Sequence, residues 1–171
     1  ELDGQSREAK IYLAAALDPV VFDQDLESHI REQEEAGWDD RRGTVTARRV
    51  RRMGHLVVAE TALPAPAPGL IQQGLITAVR QKGLDSLPWM PRARQWQARV
   101  MLMSKHFPSD WPDASGSALL AQLESWLAPF LAGMSHWKEV QALDLLTALS
   151  SLLDYRQQQA LLHQAPEHLI I

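Results

Sequence analysis

The stretch Leu63-Pro64-Ala65-Pro66-Ala67-Pro68-Gly69 decides how the rest of the chain is read. Prolines at alternate positions fix φ, remove backbone donors and push each preceding residue into an extended conformation. The stretch is therefore a stiff linker that excludes a helix until it ends. On its two sides the apolar residues recur with different periods. The expected fold class is α+β: an N-terminal antiparallel β segment followed by an all-helical bundle of about five helices. The expected domains are 1–62 and 63–171.

Downstream of the linker, Ile71, Leu75, Ala78 and Val79 share one helical stripe. Arg80 and Lys82 fall in its last turn and Gly83 stops it. Pro91 suits a first helical position, and Trp96, Val100, Met103 and Phe107 follow at spacings of four and three until Pro108. Leu119 or Leu120, Leu123 and Leu127 form the next helix, interrupted at Pro129. Ser135 caps a turn that leads into Val140, Leu143, Leu146, Leu149 and Leu152 or Leu153. Asp154 with Gln157 three residues later makes a capping box, and the last helix ends near Pro166. Short connections between these elements are those of a helical bundle.

Upstream, Lys10 to Leu17 reads as a strand, closed by Asp18-Pro19. Asp23 to Ile30 reads as a short helix with Phe22, Leu26 and Ile30 on one face. Arg31 to Trp38, Thr44 to Met53 and His55 to Glu60 read as a three-stranded antiparallel meander. Its connections are Asp39-Asp40-Arg41-Arg42-Gly43 and Gly54. A meander alone is barely stable in water, so it is expected to belong to a larger sheet or barrel.

Of the 171 residues, 46% are hydrophobic and 22% charged, an ordinary globular composition. The net charge of −4 gives no global basic field, so any nucleic-acid surface must be local. The chain has no Cys, which excludes disulfides, thiolate metal sites and a Cys nucleophile, and fits a cytoplasmic location. No run reaches the ~20 apolar residues that span a bilayer, so no membrane partner is expected. Glu1-Leu2-Asp3-Gly4 lacks the pattern of a signal peptide, and Leu169-Ile170-Ile171 is an apolar run without a polar tail. Both ends read as cut from a longer protein.

The chain carries no GxxxxGK[ST], GxGxxG, GxSxG or HExxH motif. Asp39-Asp40 sits beside Arg41-Arg42 and reads as solvated turn chemistry. His106, Asp110 and Asp113 could gather round a cation, but Pro108, Trp111 and Pro112 between them favour a packed connection. No catalytic or metal residue is assigned, and the chain by itself is expected not to be an enzyme.

Arg41, Arg42, Arg48, Arg49, Arg51 and Arg52 fall within one hairpin of a net acidic protein. Alternate strand residues face opposite sides, so Arg48 and Arg52 share one face while Arg49 and Arg51 share the other. Such a strand cannot lie with one whole face in an apolar core without bulges or paired charges. In one reading Glu32, Glu34 and Glu35 neutralise the arginines across the hairpin. In the other, guanidinium forks grip phosphates, for which their bidentate geometry is suited. Trp96 and Trp126 lie on helical stripes and read as core, whereas Trp89, Trp111 and Trp137 adjoin prolines or helix starts and cap the bundle. Trp38, beside the arginine turn, is the tryptophan considered as a base-stacking platform.

Particular strings add to this reading. They are Ile11-Tyr12-Leu13-Ala14-Ala15-Ala16-Leu17-Asp18, Trp38-Asp39, Val45-Thr46-Ala47-Arg48-Arg49, Met53-Gly54-His55-Leu56-Val57-Val58 and Leu87-Pro88-Trp89. Trp111-Pro112-Asp113, Trp126-Leu127-Ala128-Pro129-Phe130-Leu131-Ala132-Gly133 and Leu143-Asp144-Leu145 follow in the same order. Together they resemble the C-terminal part of the bacterial HrpB family of ATP-dependent helicases, over nearly the whole chain.

The resemblance implies a DEAH-box-like, superfamily 2 helicase whose ATPase lobes, with their ATP and Mg, lie upstream. It also implies that the β segment is a partial OB-like barrel, an oligonucleotide-binding-like region, and that the helical domain is one particular to the family. None of the family's ATP-binding or hydrolysis residues maps onto this sequence, so no cofactor is expected here. The expected role is non-catalytic: lining a single-stranded RNA or DNA path and bracing the helicase lobes. Arg41, Arg42, Arg48, Arg49, Arg51, Arg52 and Trp38 are the candidate contacts. The alternative is a module that docks the helicase to a protein partner.

Overall fold

The computed structural model describes residues 27–166. The strand expected at 10–17 and residues 23–26 of the helix expected at 23–30 lie outside the described residues. The rest of that helix is a correction: Glu27–His29 is a single 3-10 turn, and Ile30 already opens a strand.

Three strands follow, β1 (Ile30–Asp39), β2 (Thr44–Met53) and β3 (Leu56–Ala62), paired in the order β1-β2-β3. The connections tighten where Gly43 (φ +62°) and Gly54 (φ +60°) adopt the left-handed conformation that side chains resist. Seven α-helices follow among the described residues: α1 (Pro68–Lys82), α2 (Pro91–His106), α3 (Gly116–Ala121), α4 (Leu123–Trp126), α5 (Trp137–Gln141), α6 (Leu145–Ser150) and α7 (Tyr155–Gln164). The architecture is α+β, a three-stranded antiparallel sheet followed by helices.

The proline linker ends as expected in its chemistry and two residues earlier than expected in its position. Pro68 itself opens α1, because its ring already holds a helical φ and a first-turn residue needs no N–H. Gly83 closes the same helix, donating its N–H to the Val79 carbonyl. Two expected helices are each divided. Leu119 to Leu127 breaks at Gln122, whose φ of −115° and ψ of 22° leave the helical region. Val140 to Leu152 breaks at Asp144, whose carboxylate accepts from Thr147 N at 3.3 Å and from Thr147 Oγ1 at 2.6 Å. A short acidic side chain that captures free amide donors starts a helix rather than continuing one. The cap expected at Ser135 falls on His136, and Glu139 Oε2 accepts from the N–H groups of both residues. The box at Asp154 forms as read, with Asp154 accepting from Gln157 N at 2.8 Å and Gln157 Oε1 accepting from Asp154 N at 2.9 Å.

The described chain divides into two compact units, residues 27–33 with Arg49–Thr61, and Glu34–Arg48 with residues 62–166. In the larger, the stripe residues Leu75, Val79, Trp96, Val100 and Met103 are buried, joined by Leu123, Trp126, Leu131, Val140 and Leu149 from the short helices. Fully burying each such side chain contributes about 1.5–3 kcal/mol, which is why helices of four to six residues hold without much intrinsic propensity. In the smaller unit Val50 is the fully buried apolar residue among those described.

Candidate nucleic-acid interface

The tip of the β1–β2 hairpin is organised by Asp39. Its Oδ1 accepts from the N–H groups of Arg41 at 3.0 Å and Arg42 at 3.1 Å, and its carbonyl accepts from Gly43 N at 2.8 Å. Asp39 is thus turn chemistry, as the sequence suggested. The turn leaves Arg41 and Arg42 exposed, with Arg42 Nε 3.7 Å from Asp39 Oδ2. At 75% side-chain exposure that pair is well solvated and adds little stability.

Asp40 has a different use. Its Oδ1 accepts from Lys82 Nζ at 2.5 Å and from Trp38 Nε1 at 2.7 Å. Hydrogen bonds from Lys82 and then Trp38 hold its carboxyl below the usual carboxylate range. Trp38 itself is half-buried and packs edge-on against Trp137, ring centroids 5.6 Å apart at 62°. Lys82 Nζ stands 5.5 Å from both ring centroids. The sequence pointed to Lys82 only as a charge suited to the end of α1. Its closure of a Trp38–Trp137 pair depends on a contact across 99 residues that no local pattern announces.

The hairpin end is bonded to the segment before α5. Val45 N donates to Ser135 O at 3.1 Å, Trp137 N donates to Gly43 O at 2.9 Å, and Thr44 Oγ1 donates to Ser135 O at 2.8 Å. The arginine-bearing tip is therefore presented from a fixed support.

Further along the hairpin, Arg48 Nη2 lies 3.6 Å from Glu35 Oε2, and Arg49 Nε lies 3.2 Å from Glu32 Oε1. These are two of the cross-strand pairings anticipated for the acidic β1. The alternation of burial along β2 changes phase at these two residues. Val45 and Ala47 are half-buried before them, and Val50 is fully buried after them. Successive exposed arginines on opposite sides of the strand accompany that change, so arginine on both faces costs neither unit its core. Arg51 and Arg52 are half-buried. The seven candidates are divided between the two units: Trp38, Arg41, Arg42 and Arg48 belong to the larger, and Arg49, Arg51 and Arg52 to the smaller.

No group of three His, Asp or Glu side chains able to hold a metal ion occurs among the described residues. The segment with His106, Asp110 and Asp113 is a packed connection in which Trp111 and Ala114 are buried. No described helix is long and apolar enough to cross a membrane.

Among the described residues, four carboxylates titrate low. Asp40 is held down by Lys82, Glu124 by Arg80, Glu139 by the backbone N–H groups of Ser135 and His136, and Asp144 by Thr147. A carboxylate whose folded pKa lies below its unfolded value contributes stability above the unfolded pKa. That contribution is lost as pH falls through the folded one. The melting temperature should therefore hold from pH 7 to about 5 and fall progressively below the ordinary values of 4.5 and 3.8. Circular dichroism melts across that range check it, and a melting temperature unchanged at pH 3 would contradict it.

Comparison with known proteins finds similarity to one family in parts of the chain. Residues 29–63 match the family model described as the connector region of the ATP-dependent RNA helicase HrpB, and residues 126–171 match the ATP-dependent helicase C-terminal model. The ATP-dependent RNA helicase HrpB of Escherichia coli (strain K12) is 34% identical over 164 residues, covering 95% of this chain and 20% of that protein. The chain thus spans about a fifth of that relative's length. The crystal structure of the E. coli DExH-box NTPase HrpB superposes with a TM-score of 0.66 at 32% identity, covering 100% of this chain and 22% of that one. That of the Escherichia coli DEAH/RHA helicase HrpB gives 0.64 at 34% identity, covering 81% and 18%.

Proposed function

We propose, from the similarity of its sequence and fold to the connector and C-terminal regions of HrpB helicases, that the chain is a non-catalytic accessory region of an ATP-dependent RNA helicase. In this reading its β1–β2 hairpin contributes to the path of a single RNA strand. The helical part braces upstream ATPase lobes of the same chain, where ATP and Mg bind, and the protein works in the cytoplasm. The observation that carries the reading is the concentration of arginine on one hairpin whose tip is bonded to the helices. In a protein of net charge −4, such a hairpin offers local guanidinium forks to phosphates.

The surface ion pairs with Glu32, Glu35 and Asp39 do not argue against it. Exposed pairs are worth about 0–1 kcal/mol, and each guanidinium carries five donors, so a phosphate competes readily with a solvated carboxylate. Trp38 contributes as a support for the tip, since its ring edge and its N–H are engaged by Trp137 and Asp40. Ultraviolet crosslinking of the chain to a single-stranded RNA, mapped by mass spectrometry, tests the reading. Adducts within residues 30–53 support it. Adducts confined to the helices, or none, overturn it.

A second reading, docking to a protein, rests on apolar side chains left in solvent. Met101 (44% exposed) and Leu102 (51%) lie on α2, and Leu162 (55%) lies on α7, which packs against α2. The occupant would be the upstream lobes. If so, separately produced lobes bind the chain, and Leu102→Asp with Leu162→Asp abolishes that binding.

A further inference from the structure

The tip of the β1–β2 hairpin carries two arginines, yet its own charges cancel. Asp39-Asp40-Arg41-Arg42 sums to zero, so the turn by itself offers a phosphate no net attraction. Arg41 and Arg42 attract a phosphate best when their acidic neighbours are engaged by other groups. Both neighbours are engaged, in different ways. Asp39 serves the backbone, its Oδ1 accepting from the N–H groups of Arg41 and Arg42. Asp40 is taken by a residue outside the hairpin, Lys82 in the last turn of α1, whose Nζ lies 2.5 Å from Asp40 Oδ1.

Lys82 is suited to hold that carboxylate. Its side chain is 30% exposed against 72% for Asp40, so the ammonium is the fixed partner and the carboxylate the one drawn to it. The ammonium is fixed by two indoles, standing 5.5 Å from the ring centroids of Trp38 and of Trp137. Trp38 Nε1 donates to the same oxygen, Asp40 Oδ1, at 2.7 Å. All of these residues lie in the larger unit. With Lys82 counted, three cations face two carboxylates, and the surplus positive charge falls to the exposed guanidiniums of the tip.

We propose that Lys82 is a positioning residue for the RNA-binding tip: it engages the Asp40 carboxylate, which would otherwise screen Arg41 and Arg42, and so leaves their guanidiniums to the phosphates of a single RNA strand. The inference rests on the function proposed above. Lys82 acts through Asp40 and makes no contact with RNA of its own. Loss of its charge returns a carboxylate to a turn in which both arginines lie within two residues, well inside the Debye length of about 10 Å at 0.1 M salt. Because Asp40 is solvated, the effect is a moderate one.

The test uses the full chain and a labelled oligouridylate, titrated at about 50 mM salt. Lys82→Met keeps the apolar stem, removes the charge and should weaken binding about three- to fivefold. Lys82→Arg should keep the affinity. Lys82→Met combined with Asp40→Asn should restore it, because the carboxylate that Lys82 engages is gone as well. A double variant as weak as Lys82→Met overturns the proposal, since a lysine that touched RNA or only stiffened the tip could not be replaced in that way. Lys105→Met, on α2 of the same unit, removes an equal charge and should change nothing. An equal loss there overturns the proposal too, by showing that net charge alone governs binding. Without RNA, side-chain carboxyl resonances should show Asp40 titrating at higher pH in Lys82→Met, because the hydrogen bond that lowers it is lost. An unmoved titration overturns the hold of Lys82 on Asp40. Unchanged RNA binding in Lys82→Met overturns this proposal and leaves the proposed function standing. No RNA binding by the folded, unsubstituted chain overturns both.

Discussion

Replacing Trp126 with alanine should lower the stability of the larger unit by about 3–5 kcal/mol, the cost of deleting a large aromatic from a packed core. Trp126 is 1% exposed, and it ends α4, a helix of four residues. So short a helix has no independent stability and is held by what its side chains bury. The indole also donates from Nε1 to the Leu119 carbonyl at 2.9 Å, across the break between α3 and α4. Truncation therefore opens a cavity and removes one of the two donors to the Leu119 carbonyl, which keeps Gln122 N at 3.3 Å, so the cavity supplies most of the cost. Trp126→Phe fills most of the cavity but gives up the indole hydrogen bond, and should cost about 1–3 kcal/mol. Tyr155→Ala, at a site 76% exposed, is the control and should change little. Urea unfolding followed by circular dichroism reads all three. A loss below about 1 kcal/mol for Trp126→Ala would show that the α3–α4 break is not held by this ring.

The second large effect is expected at Gly74, on α1. A Cβ there would sit 2.5 Å from Val45 Cγ1, 3.0 Å from Val45 Cγ2 and 3.4 Å from Ala36 Cβ. Helix propensity alone would make Gly74→Ala stabilising by about 1 kcal/mol. The contact reverses the sign, because a β-branched strand residue has little rotamer freedom with which to retreat. Overpacking of this kind costs about 1–3 kcal/mol. Val45→Ala in the same chain removes the obstructing methyl groups, so the double variant should be more stable than Gly74→Ala alone by about 1 kcal/mol or more. The same substitution should loosen the hairpin tip from its support, read as faster amide exchange at Val45 and Trp137, whose N–H groups bond Ser135 and Gly43. Additive single effects in the double variant would contradict a direct Gly74–Val45 contact.

Much of this architecture was legible in the sequence because it depends on local chemistry. The strand 44–53 between two glycine turns, the helix closed by Gly83, the helix opened by Pro91 and the capping box at Asp154 are each set by residues within a few positions. The breaks at Gln122 and Asp144 were missed because the leucine period continues through them, and hydrophobic spacing does not register a backbone departure that keeps the stripe intact. Of the candidate interface, the arginine run and its pairing with Glu32 and Glu35 were visible, since cross-strand neighbours follow from a turn. The Trp38–Lys82–Trp137 group and the fixing of the tip at Ser135 were not. Both join residues far apart in sequence, through contacts that only the folded chain creates.

The central claim is that the hairpin arginines bind a single RNA strand, and the most direct measurement is fluorescence anisotropy of a labelled single-stranded RNA titrated with the chain at about 50 mM and about 200 mM salt. A variant with Arg48, Arg49, Arg51 and Arg52 changed to Ala is titrated alongside, after its melting curve has shown that it is folded. The account predicts binding by the unsubstituted chain that weakens about tenfold or more between the two salt concentrations, and loss of most of that binding and of its salt slope in the variant. No binding by the well-folded chain at low salt, or equal binding by the variant, would contradict it.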